Sequence, residues 1–195
     1  MSIGDAEIKT QERVIRFFKD PEILGYQYIG NLSDYQNKNI KEDRLRQYLR
    51  LKGYADKLID AAVMQLQQEA GNLSRGVYDA NKTVYSRLKY GIPVSESPEK
   101  PPLTVELIDE ANPLNNDFAI AEEVTVVEQQ EKRPDLVIYL NGIAVAVIEL
   151  KRSSISVSEG IRQNLTNQKD SFIRGFFTTM QFCMAGNESE GLRYG

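Results

Sequence analysis

The segment RPDLVIYLNGIAVAVIELKRS, residues 133–153, constrains the fold of this chain more than any other stretch. Two apolar runs flank Asn141-Gly142, a dipeptide that readily takes the left-handed backbone of a tight hairpin turn. Neither run alternates. A strand wetted on one face alternates apolar and polar residues, so two continuous runs predict inner strands covered on both sides. Helices or loops must supply that cover, which makes the fold α/β, with α+β as the alternative.

Against this apolar background Asp135, Glu149 and Lys151 stand out. A charge at a covered strand end costs free energy unless it is paired, hydrated or bound to a metal. Whether the three can meet depends on register. A two-residue loop pairs Leu140 with Ile143 and hence Asp135 with Ile148, which sends the two acids to opposite faces. A three-residue loop ending at Gly142 with a glycine bulge places Asp135 across from Val147, on the face shared by Glu149 and Lys151. A bulge or bend near Pro134 also serves.

Two carboxylates and a lysine at one sheet end suit hydrolysis of a phosphodiester. Mg2+ prefers oxygen ligands and keeps several waters, so Asp135, Glu149 and the main-chain carbonyl of Leu150 make a suitable donor set. The ion would polarise the phosphate and acidify an attacking water, and Lys151 would orient that water or offset developing negative charge. Composition removes the main competitors. The chain has no histidine, a single cysteine (Cys183) and no G-x-x-x-x-G-K-[ST] loop, which excludes histidine-dependent nucleophilic and zinc sites and a P-loop within this sequence. The spacing by itself is weak: Glu7-Ile8-Lys9 has the same form on a predicted helix, and a salt-bridged strand end also accounts for the three charges.

At 195 residues, 41% hydrophobic and 27% charged, the chain is long enough for one compact domain, or a core with a smaller lobe. Its longest apolar runs, of five or six residues, cannot span a bilayer, and MSIGDAEIKT lacks the layout of a signal peptide. Cys183, inside FTTMQFCMAG, is expected to be a buried strand residue in a reducing cytoplasm. Helical spacing covers residues 5–19, 39–51, 55–70 and 75–90, and the proline-rich stretch 91–102 reads as an irregular connection. Strand-like composition follows at 103–108, 118–127, 136–140, 143–150 and 176–185, with a helix over 158–172. The expected division is therefore a helical region and linker, 1–102, packed on a core, 103–195.

Net charge is −4, but the charges are unevenly spread. Residues 101–130 hold seven acids and no Lys or Arg, whereas Lys41, Arg44, Arg46, Arg50 and Lys52 crowd one short stretch. That stretch reads as a solvated helix face, with a phosphate or partner contact as the alternative.

The 133–153 segment resembles the P-D...[DE]-x-K nuclease superfamily, and in its wording the amino-terminal nuclease domain of type I restriction enzyme restriction (R) subunits. The resemblance extends to NDFAIAEEVTVV (116–127) and ERVIRFFKDPEILGYQYIG (12–30). It implies a restriction-endonuclease-like core, a mixed sheet flanked by helices. It also implies that Asp135, Glu149 and Lys151 are the metal-binding acids and lysine, with Mg2+ as cofactor. The family's downstream Gln-x-x-x-Tyr motif falls on Gln163 to Asn167, so Gln163 matches and Asn167 stands in place of the tyrosine. Unaided by the resemblance, Gln163 reads equally as a solvated or helix-capping amide. The resemblance further implies a longer parent subunit with ATP-dependent motor domains, acting on DNA with modification and specificity subunits, of which this chain is a fragment cut at the carboxyl end of the core. Two other readings stay open: a repair nuclease of the same superfamily, and a docking domain for motor or methyltransferase subunits in which the three charges are structural.

Overall fold

A computed structural model describes residues 3–95, 97 and 99–194; Glu96 and Pro98 of the proline-rich connection lie outside the described residues. Its centre is a six-stranded mixed sheet in the order β1-β4-β7-β8-β9-β10. The strands are β1 (Gln27–Asn31), β4 (Phe118–Glu122), β7 (Leu136–Leu140), β8 (Ile143–Leu150), β9 (Phe182–Asn187) and β10 (Gly191–Tyr194). β1 runs parallel to β4 and β9 parallel to β8, and the other pairs are antiparallel. This is the α/β architecture expected from the two non-alternating runs, which indeed become the two central strands.

Both faces are covered. Ile15 of α1 (Ile3–Lys19) packs on Ile120, Leu136, Ile138, Ala146, Ile148 and Leu150. On the opposite face Ile173, Phe176, Phe177 and Met180 close over Val137, Tyr139, Ala144 and Val147. A third cluster joins α2 (Glu42–Leu51), α3 (Asp56–Gly71) and α4 (Val77–Tyr90) to the short hairpin of β2 (Ile92–Val94) and β3 (Leu103–Val105). Two small strands, β5 (Val126–Val127) and β6 (Glu131–Lys132), form a hairpin between β4 and β7, and α5 (Val157–Asn167) lies between β8 and β9.

The structure differs from the sequence reading in several places. β1 falls between the helices expected at 5–19 and 39–51, inside the 1–102 region set apart from the core, and joins the core sheet; its sequence, QYIGN, is too short and polar to announce a strand. The buried run Phe176–Thr179 belongs to a 3-10 turn, Arg174–Thr179, because a short apolar run carries no period that separates strand from turn. Cys183 is in a strand but only partly buried, and burial pushes its thiol up to about 11. α5 ends at Asn167, five residues before the expected 172.

Four of the five basic residues in the stretch are engaged in ion pairs, with Arg50 still on the exposed side of α2. Arg46 pairs with Glu42 and Asp60, at 2.7 and 2.5 Å, and Arg50 pairs with Asp56 at 2.9 Å. Arg44 and Lys52 reach Asp117 and Asp109, at 2.7 and 2.9 Å. Those last two acids come from the acid-only stretch, so the two biased segments neutralise each other across the joint between helices and sheet.

Asn141 and Gly142 form the hairpin turn, with φ of 52° and 82°. The turn is buried under α2: Lys41 N–H donates to the Gly142 carbonyl at 2.7 Å, and a Cβ on Gly142 would lie 2.6 Å from the Lys41 carbonyl oxygen. Gly142→Ala therefore meets both a left-handed backbone and a backbone collision. We expect a loss of at least about 2 kcal/mol in denaturant-monitored stability.

Candidate active site

The register of β7 against β8 decides whether the charges meet. The loop has two residues, with Leu140 paired to Ile143, the case that separates the acids. The register then shifts between Ile138 and Tyr139: Tyr139 pairs with Ala144, and Ile138 with Ala146. Val145 is the extra residue, a β-bulge inside the strand rather than at the turn or at Pro134. Val145 and Ala146 both pack on the α1 side, and from Val147 onward parity is reversed. Continuing the ladder one step past Leu136 and Ile148 sets Asp135 opposite Glu149, on one face.

The bulge falls where β8 changes neighbours. Ile143 bridges to Ile40, and Ala144 N–H donates to the Asn39 carbonyl at 2.8 Å, whereas pairing with β9 begins at Ala146. At the change, the Val145 carbonyl accepts from Gln181 N–H at 2.7 Å.

At the far end of these strands the site assembles. Asp135 Oδ2 accepts the Leu150 N–H at 2.6 Å, fastening the end of β7 to the end of β8. The Asp135 and Pro134 carbonyls accept from the Glu123 and Val124 N–H groups, at 2.8 and 3.0 Å. Glu149 is 3% exposed, and its Oε1 takes a hydrogen bond of 2.6 Å from Lys151 Nζ. The same ammonium donates to Gln163 Oε1 at 2.9 Å. The four side chains thus form one cluster spanning β7, β8 and α5.

Gln163 reaches the cluster because α5 lies close to the sheet. At Gly160 a Cβ would come within 2.7 Å of the Ala185 Cβ, so only glycine permits this approach, and the next turn carries Gln163 toward Lys151. Asn164 Nδ2 holds the helix to the Met184 carbonyl at 3.0 Å. Asn167 is buried at the end of the helix, where its carbonyl accepts from Ile173 N–H.

Electrostatics set the site apart from an ordinary strand end. Burial, and then the Glu149 charge, push the Asp135 carboxyl from 3.8 up to about 7, against the opposing pull of the Leu150 N–H and of Lys151. Two carboxylates share a covered corner where one ammonium is bonded to Glu149. Asp135, Glu149 and the Leu150 carbonyl supply oxygen donors, the kind of ligand that Mg2+ takes. Among the described residues no group of three or more His, Cys, Asp or Glu is placed to hold a metal ion.

Sequence reasoning passed over the residues around Asp135. Gln11 of α1 donates to Glu122 and Glu123, at 2.9 and 3.2 Å, and Arg133 pairs with Glu123 at 2.7 Å. Glu123 also holds a left-handed backbone, φ 51°, without being glycine. No local pattern signals these contacts: those of Gln11 link residues more than a hundred positions apart, and Arg133 meets Glu123 only because the chain turns back between β4 and β7.

An α/β sheet that ends in facing acids and a lysine has the layout of a P-D...[DE]-x-K core. Consistent with this, a family model described as type I restriction enzyme R protein N terminus matches residues 7–195, and the chain belongs to that family. It is also 33% identical over 97 residues to a Methanocaldococcus jannaschii protein named as a type I restriction enzyme MjaIXP endonuclease subunit. That alignment covers 46% of this chain and 9% of the relative. Among the described residues no helix is long and apolar enough to cross a membrane.

Proposed function

We propose that this domain hydrolyses DNA phosphodiester bonds with Mg2+, as the nuclease portion of a type I R subunit. The observation that carries the reading is the bulge at Val145, which brings Asp135 and Glu149 to one face with Lys151 between Glu149 and Gln163. Asp135, Glu149 and the Leu150 carbonyl would hold the ion, whose chemistry when bound would be to polarise the scissile phosphate and lower the pKa of an attacking water. The Leu150 N–H fixes the Asp135 carboxylate. Lys151 supplies a fixed positive charge beside the reacting oxygen, and Gln163 limits where its ammonium swings. In this reading the modification and specificity subunits choose the DNA site, and ATP serves motor domains of the longer parent subunit.

The test is cleavage by the full R subunit assembled with those partners, ATP and Mg2+. Gln163→Ala should lower the cleavage rate about tenfold or more with little change in melting temperature. An unchanged rate would make Gln163 an ordinary surface amide.

A second expectation follows from Asp135 in the metal-free domain. Its folded carboxyl titrates near 7 rather than 3.8, so the folded state holds its proton more tightly than the unfolded chain. Stability from this group is present at low pH and lost as pH rises between about 4 and about 7. Asp135→Asn keeps an oxygen for the Leu150 N–H but does not titrate. In EDTA its melting temperature should exceed that of the wild type near neutral pH and converge with it near pH 4. A wild-type advantage at neutral pH would contradict the strained pair.

A further inference from the structure

We propose that the outer face of α4 binds single-stranded nucleic acid. Arg44, Arg46, Arg50 and Lys52 are paired within the domain. Residues 74–90 hold Arg75, Lys82, Arg87 and Lys89 against one acid, Asp79, in a chain of net charge −4. Arg87 is bound to Glu69 at 2.8 Å, but Arg75, Lys82 and Lys89 form no ion pair among the described residues. All three are exposed.

The same face carries aromatic rings. α4 buries Ala80, Val84 and Leu88, which turns Tyr78, Lys82, Tyr85 and Lys89 to the solvent side at positions i, i+4, i+7 and i+11. Tyr78, Tyr85 and Tyr90 are 74%, 49% and 68% exposed. The two tyrosines of the stripe, and likewise the two lysines, sit seven residues or about 10.5 Å apart along the axis. A polar cleft of about 550 Å³ runs beside the stripe, lined by Ser74, Arg75, Lys82 and Ser86 together with the acids Glu69, which is paired to Arg87, and Asp79.

Exposed tyrosines that alternate along one stripe with lysines forming no ion pair suit a strand whose phosphates meet the lysines while its unstacked bases lie on the rings. Duplex DNA satisfies only the cations, because its bases are already stacked; an acidic protein likewise has no use for the rings as stacking platforms. α4 packs on α3 and on the 174–179 turn, whereas the acids and Lys151 lie among β7, β8 and α5. The proposal is therefore independent of metal chemistry.

The test is fluorescence anisotropy of the intact chain with an oligothymidine of about 15 nucleotides, in EDTA so that nothing is cleaved. Lys82→Glu/Lys89→Glu should weaken binding about tenfold or more and make the salt slope shallower by about 1.4, near 0.7 for each lost phosphate contact. Tyr78→Ala/Tyr85→Ala should weaken it about tenfold at unchanged salt slope. Binding in EDTA is read apart from cleavage, which keeps this result separate from the nuclease reading. Unchanged affinity in the α4 variants would overturn the proposal. Equal loss with duplex and oligothymidine in the lysine variant, with the tyrosine variant silent, would overturn the single-strand assignment. Displacement by polyglutamate as effective as by the oligonucleotide would overturn it too.

Discussion

Lys151→Ala should lower DNA cleavage by about 10² to 10³ while leaving the domain folded in Mg2+, since losing one preorganised charge at a reacting oxygen typically costs that much rate. The ammonium sits 2.6 Å from a Glu149 oxygen and 2.9 Å from Gln163, in a corner that also holds Asp135. Two accounts of this geometry make different predictions. If Lys151 is there to act on a phosphate, a bound Mg2+ neutralises the two acids when the lysine is removed, so stability in saturating Mg2+ stays close to wild type. Metal affinity should also hold, because an ammonium is not a ligand. If Lys151 is a structural counter-charge, removing it leaves buried carboxylates without compensation and costs about 3 to 5 kcal/mol. Rates must be measured on the assembled R subunit with ATP, and melting temperatures on the same variant with and without Mg2+. A wild-type cleavage rate combined with a destabilised fold would reject the functional role of Lys151.

Asn141→Ala should be among the most destabilising single changes in the domain, by about 3 to 5 kcal/mol. The side chain lies at the hairpin tip, yet it is fully buried. Its amide donates to the Leu107 carbonyl and to Asn116 Oδ1, both at 2.8 Å, and its Oδ1 accepts the Asp117 N–H at 2.7 Å. Asn116 Oδ1 in turn takes bonds from Tyr48 and from the Asp109 N–H, so a turn residue ties the helical cluster to the sheet. Alanine leaves the Leu107 carbonyl and the Asp117 N–H without this partner in a buried place, at about 1 to 3 kcal/mol each, and it also disfavours φ 52°. Urea unfolding of both proteins measures the difference, and a loss under about 1 kcal/mol would mean that the network relaxes around the gap.

The hairpin shows how much of the site was legible in the sequence. Asn141-Gly142 locates the turn, and the continuous apolar runs locate strands covered on both faces, because both signals are local. The bulge at Val145 has no such signal. When both faces of a strand are apolar, an inserted residue leaves the composition pattern intact, and parity past that point is lost to view. Contacts from elsewhere in the chain fix its place: Asn39 and Ile40 flank the start of β8, and Gln181 holds the Val145 carbonyl. The same reason hides Gln11, Glu123 and Arg133. Charge bias, by contrast, was visible but ambiguous, since only the fold shows that Arg44 and Lys52 meet acids of the 101–130 stretch.

The most direct test of the central claim is Mn2+ binding, used in place of Mg2+ and followed by electron paramagnetic resonance, in wild type, Asp135→Asn and Glu149→Gln. If the two carboxylates share an ion, the wild type binds one Mn2+ that Mg2+ displaces, and either substitution weakens binding at least about tenfold, because each removes a charged ligand. Equal Mn2+ affinity in all three proteins would contradict a shared metal at this site and, with it, the proposed hydrolysis.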